Sequence, residues 1–297
     1  MNKLAKKVIT IICAVCMTAS VATLSGCGNS DSASSGNGAS TDVSKAGNVS
    51  WSYDENDKTL TISGNGKMGD YATGSEFPWH GCSESATSVV VEDGVTSIGK
   101  NAFFNFSKLE SIKIPDSLES IGDSAFVKCE SLAEISIPDS VKEIGASAFM
   151  CCTSLKSVTL PKGITEVGKS VFNGCTSLSS VDIPSSVVKF DMSAFYNCTS
   201  LSDIIIPNNV EKINQWAFYN CSSLKSIEIP NSVTKIGKMA FQKCSSLTSI
   251  AFTGDAPDIG ENAFSEVKSE ISYPKDKTTW TEDVKQQYGG EIEWKES

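Results

Sequence analysis

The chain contains no arginine. All 25 basic residues are lysine, set against 35 carboxylates for a net charge of −10. Arginine's planar fork is the usual reader of phosphate, and an acidic chain repels polyanions, so nucleic acid is not an expected partner. Histidine is almost as scarce. His80 is the single copy; it lies beside Trp79, with no serine or cysteine nucleophile motif around it, and no triad can be built from it. The glycines recur at turn positions and do not form a phosphate loop between a strand and a helix. No enzymatic activity, cofactor or metal is therefore expected. Long apolar runs are also missing. The longest, Val8 to Ala22, is too short and wrongly flanked for a stable membrane span.

That run follows Lys3, Lys6 and Lys7 and leads directly into Leu24-Ser25-Gly26-Cys27. The arrangement resembles the lipobox of bacterial lipoproteins. It implies a signal peptide over 1–26, lipidation of Cys27, and an extracytoplasmic chain anchored to the bacterial cell membrane by that lipid. Residues 27–48 are rich in Ser, Gly, Ala and Asn and carry too little apolar surface to order themselves. They are expected to form a flexible tether spanning about 25 Å on average.

What is abundant is repetition. Phenylalanine stands at 103, 126, 149, 172, 195, 218, 241 and 264, always 23 residues apart. Three residues after it comes cysteine (129, 152, 175, 198, 221, 244), with Phe106 and Val267 in the end copies. Six after comes leucine, and nine and eleven after come branched apolar pairs such as Ile112 and Ile114. That alternation is strand periodicity, and a proline then ends the strand. A strand this short cannot stand alone, so copies must stack in parallel at ~4.8 Å and share one core. Gly122, Gly145, Gly168 and Gly237 share a position with Asp191 and Asn214. These residue types tolerate positive φ, and left-handed backbone is expected there.

The pattern Ala-Phe-x-x-Cys-x-Ser-Leu-x-x-Ile-x-Ile-Pro-x-x-Val-x-x-Ile-Gly resembles the BspA-like (Treponema-type) leucine-rich repeats of bacterial surface proteins. Ser117, Gly163 and Asn209 stand where the commoner leucine-rich form has its ladder Asn or Cys. The resemblance implies a β-rich solenoid, a right-handed leucine-rich-repeat coil of seven to eight turns over 89–264. It also implies an N-terminal β cap over 49–88 and a small α+β C-terminal cap over 265–297. Stacked repeats need such ends, because each terminal unit has a naked core face. The function implied is adhesion: binding an extracellular protein, or a ligand on a host or neighbouring cell, through the repeat face. The alternative is a passive structural or assembly component of the envelope.

Six cysteines lie on one ladder, where they read as small apolar filler. A disulfide chain would need alternation between repeats, and a metal site needs converging ligands; neither is present. Cys151 falls at an exposed position, and Cys82 has no assigned place. Ligand-binding candidates are the residues at which the copies disagree. On the outward sheet positions, mostly Ser or Thr, stand Glu134, Asp182, Asp203, Ile205 and Glu228. These carboxylates could meet basic groups on a partner, hold Ca²⁺, or simply solubilise the face. Trp216, Tyr196 and Tyr219 form an aromatic patch at the turn edge, either an interface anchor or packed under neighbouring turns.

Overall fold

A computed structural model of the chain describes residues 46–72 and 77–297. The leader, the Cys27 lipidation site and the tether up to residue 45 lie outside the described residues. Folded chain begins before the expected cap boundary at 49: Ala46 is buried, its carbonyl accepts from the Gly69 amide, and the first strand is Gly47–Asp54.

The architecture is a parallel β-solenoid of about nine turns. Each turn presents a strand to one sheet, a second short strand to another, and a turn-rich third side. Thr59–Met68 opens both sheets. Its first half pairs in parallel with Ser88–Val91 and its second half with Val95–Ile98. The antiparallel strand Gly47–Asp54 covers its outer edge. In the first sheet Ser226–Ile229 pairs with Ser249–Phe252, and Ile227 opposes Ile250. In the second, Phe190, Ile213 and Ile236 lie in register, one per turn. Both registers step by the 23 residues of the sequence period.

The third side carries the core column. The phenylalanine rings from Phe103 to Phe264 stack face to face at 5.2–5.8 Å between centroids, tilted by no more than 19°. Every one of them is fully buried. The ladder thiols fill the space beside them, and each donates to the phenylalanine carbonyl one turn back, as Cys175 Sγ does to Phe149 O at 3.1 Å. None of the eight cysteines among the described residues is in a disulfide. Burial pushes the ladder thiols up, Cys244 to about 12 and Cys152, Cys175, Cys198 and Cys221 well above the ordinary value. A thiol reagent should accordingly modify at most Cys151 and Cys82 in the folded protein, and all six ladder thiols only after denaturation. More than two rapid adducts by intact-mass analysis would contradict the buried ladder.

The ends of the column are closed by aromatics outside the period. Trp79 stacks on Phe103 at 6.1 Å, and its Nε1–H donates to Ala102 O at 2.8 Å. In the turns that follow, a phenylalanine amide serves the equivalent alanine carbonyl, as Phe103 N does Ala125 O. Trp79 thus stands in for the missing turn. At the other end Tyr288 meets Phe264 edge-on at 6.2 Å.

Three expectations need correction. The helix expected in the C-terminal cap does not form; residues 265–297 contain two further parallel strands, Lys268–Tyr273 and Glu291–Glu296. Ile271 and Ile292 point inward, and Trp280 packs on Phe252 and Tyr273, so the last core face is covered by continuing the sheet. Second, the shared glycine position is not left-handed. Positive φ occurs instead two residues before and two after each phenylalanine, at Ser124 and Lys128 or Ser193 and Asn197, for example. Glycine is needed for close approach: a Cβ on Gly237 would lie 2.4 Å from Gln215 N, and one on Gly122 would lie 2.6 Å from Lys100 N. Third, not every repeat forms its sheet strand. Residues 203–206 pair with neither neighbour, and residues 134–137 contribute only a single bridge, Glu134 to Ser157.

Candidate functional site

Strand alternation fixes which side chains leave the coil. In Ser226–Ile229, Ile227 and Ile229 are buried while Ser226 and Glu228 are exposed. The same phase exposes Glu134, Asp182, Asp203, Ile205 and Glu228. Asp182, Ile205 and Glu228 follow one another on three successive turns in one row, and Asp203 sits two residues from Ile205. The structure therefore gathers four of the candidates into one patch. Ile205 is its centre, 79 % exposed, the most exposed large apolar side chain among the described residues. Glu134 lies two turns before Asp182. It borders a cavity of about 360 Å³ with Ser111, Ile112, Ile135, Ser136, Ser157 and Thr159.

The unpaired segment and the segment with a single bridge coincide with two of these residues. Where fully paired strands carry Ser157, Ser180 or Ser226, these two carry Glu134 and Asp203. Glu270 occupies the same row in a paired strand, and there Lys295 Nζ lies 2.6 Å away. Sequence reasoning could not reach this result, because Ile204-Ile205-Ile206 is among the strongest strand-forming runs in the chain.

The aromatic candidates lie elsewhere, on the turn side. Tyr196 and Tyr219 stack in parallel at 4.6 Å and are only 9 % and 8 % exposed. Lys243 Nζ stands 5.3 Å above the Tyr219 ring, and Asn220 donates to Asn197 Oδ1 at 2.6 Å beside the pair. Trp216 is half-buried and donates from Nε1 to Met239 Sδ at 3.2 Å. Both Trp216 and Met239 are left-handed, at φ 59° and 57°, where the other turns place Ser or Asn. For a bulky L-residue that conformation costs about 1–2 kcal/mol. The patch is thus largely packed against itself.

Two parallel sheets wound with a 23-residue step, an inward leucine and isoleucine ladder and a stacked phenylalanine column define a leucine-rich-repeat solenoid. The model of the BspA type leucine-rich repeat region matches residues 77–202 and 168–284, with six copies, and the chain belongs to that family. Among solved structures it is similar to a leucine-rich repeat protein from Eubacterium ventriosum, at 20% identity and TM-score 0.46, covering 84% of this chain and 82% of that one. A leucine-rich cell surface protein from Faecalibacterium prausnitzii is 26% identical, TM-score 0.42, covering 89% and 97%. The leucine-rich repeat protein of T. pallidum is 25% identical, TM-score 0.43, covering 68% and 89%. No curated protein matches the chain.

Proposed function

We propose that this chain is a cell-surface binding and adhesion module, held outside a bacterial membrane by a lipid on Cys27, that recognises a protein ligand through its first sheet. The observation that carries the reading is the exposure of Ile205 within a ring of carboxylates, Asp182, Asp203 and Glu228. An apolar anchor surrounded by like charges favours a partner surface that offers an apolar pocket edged with lysine or arginine. Family membership supports a binding role in general terms.

The reading is of a binder and not an enzyme. Cys82 and Ser83, the thiol and hydroxyl nearest the single histidine in sequence, spend their hydrogens on the Trp79 and His80 carbonyls.

The test uses the chain from residue 27 onward with Cys27→Ser, immobilised and exposed to extracellular-matrix proteins and whole cells. Ile205→Asp should weaken capture at least tenfold, and Asp182→Asn with Glu228→Gln should reduce its salt dependence. Capture indifferent to both changes would move the site off this face. No capture, with stable co-purification of envelope proteins, would favour the structural role instead.

A further inference from the structure

The second sheet is continuous in sequence pattern and discontinuous in space. Along most of it each turn bonds to the one before: Glu119 N to Thr96 O, Lys142 N to Glu119 O, Val188 N to Thr165 O and Glu211 N to Val188 O. A parallel series runs Gly122 N to Ile98 O, Gly145 N to Ile121 O, Asp191 N to Val167 O and Asn214 N to Phe190 O. Both series omit one junction. Neither the Thr165 nor the Gly168 amide reaches the preceding turn, and Glu143–Ile144 and Glu166–Val167 belong to different sheets. The gap opens into a cavity of about 400 Å³ whose lining includes Glu143, Ile144, Glu166 and Gly168. Glycine spacing gives an independent measure. A Cβ on Gly145 or Gly237 would lie 2.4 Å from the previous turn's backbone, but a Cβ on Gly168 would lie 3.6 Å from Ile144 O.

One feature of the sequence accounts for the gap, and a second accompanies it. In the repeat register Glu143 would face Glu166, and like charges directly opposed across strands repel. Glu166 is paired instead with Lys189 on the following turn, at 2.6 Å. In addition, Ser117 and Ser232 each donate to the previous turn, to Val95 O at 2.9 Å and Val210 O at 2.7 Å, although Ser140 and Ser186 at the same position make no such bond in junctions that stay closed. Gly163 occupies that position at the gap and has no side chain to reach Val141 O.

On the first sheet this junction keeps the Glu134 to Ser157 bridge and a bond from Lys156 N to Ala133 O at 3.1 Å, so the opening is confined to the second sheet. It is intact on the third side. Ser147 N, Phe149 N and Cys151 N bond to Lys169, Val171 and Asn173 carbonyls at 2.8–3.0 Å, and Phe149 stacks on Phe172 at 5.7 Å. A junction open on the second sheet and fastened on the third side is the geometry of a hinge. We infer that the solenoid bends at this seam, pivoting on the phenylalanine side, with 134–145 on one leaf and 157–168 on the other. Glu134 then rides on one leaf, and the Asp182, Ile205 and Glu228 patch on the other, so bending changes the distance between them.

The test is a pair of spin-label distances in the chain from residue 27, with Cys27→Ser, Cys82→Ser and Cys151→Ser. Labels at Ser111→Cys and Asp203→Cys span the seam by four turns; labels at Ser157→Cys and Ser249→Cys span four turns on one leaf. The distance distribution across the seam should be at least twice as broad as the control. Gly163→Ser with Glu143→Lys, which supplies a hydroxyl and an opposite charge, should narrow it to the control width and slow exchange at the Thr165 and Gly168 amides at least tenfold. If those two changes perturb folding, Glu143→Gln alone should give partial narrowing. Equal widths in the unsubstituted protein would overturn the hinge, as would a width across the seam that none of these substitutions changes in a folded protein.

Discussion

Replacing Phe172 by alanine should destabilise the protein by about 3–5 kcal/mol, the range for removing a fully buried aromatic ring. Phe172 lies mid-column, stacked on Phe149 at 5.7 Å and Phe195 at 5.6 Å, and it is 0 % exposed. Its removal leaves a void in a place where the neighbouring turns cannot close up, since backbone bonds fix their spacing on that side. In a stacked array each turn is stabilised by its two neighbours, so the loss is felt at two interfaces. Chemical denaturation of wild type and variant, read as the shift in midpoint at constant slope, measures it. A loss below about 1 kcal/mol would mean that the ring column is not what binds turn to turn. A changed slope would show that the array had begun to unfold in parts.

The second large effect is a contrast between two glycines at the same repeat position. Gly237→Ala should cost about 1–3 kcal/mol, as overpacking does, because the new methyl meets Gln215 N at 2.4 Å and Asn214 C at 2.6 Å. All of the nearest atoms are backbone and cannot rotate away; the turns themselves must separate. Gly168→Ala should change stability by no more than about 0.5 kcal/mol, since its nearest neighbour is Val171 Cγ2 at 3.5 Å. Thermal or denaturant unfolding of the two variants side by side is sufficient. If the order were reversed, the glycine position would be governed by backbone conformation and not by the distance between turns. The comparison also bears on the seam, because it reports local spacing without a label.

Much of this molecule was legible before any coordinate. A residue that recurs every 23 positions has the same neighbours in every turn, so Phe126, Cys129, Leu132, Ile135 and Ile137 could be placed inside the coil from spacing alone. The outward rows followed from the same alternation, which is why Glu134, Asp182, Asp203, Ile205 and Glu228 stand exposed as expected. The tyrosines were not legible in this way. Tyr196 and Tyr219 occupy an equivalent position in adjacent turns, and only a 4.6 Å separation of parallel rings shows that they bury each other. The C-terminal strands were missed because the 23-residue signature fades after Phe264, although Ile271 and Ile292 still alternate inward.

The sequence by itself determined the unit, its period, its inward and outward faces and its family, because these depend on contacts that repeat identically along the chain. Tertiary structure alone decided how far apart successive turns sit. That distance is a balance among backbone bonds, side-chain bulk and charge between residues 23 positions apart, and it differs from junction to junction. The close approach that requires Gly237, the slack strands at Glu134 and Asp203, and the open seam between Glu143 and Glu166 all arise from that balance.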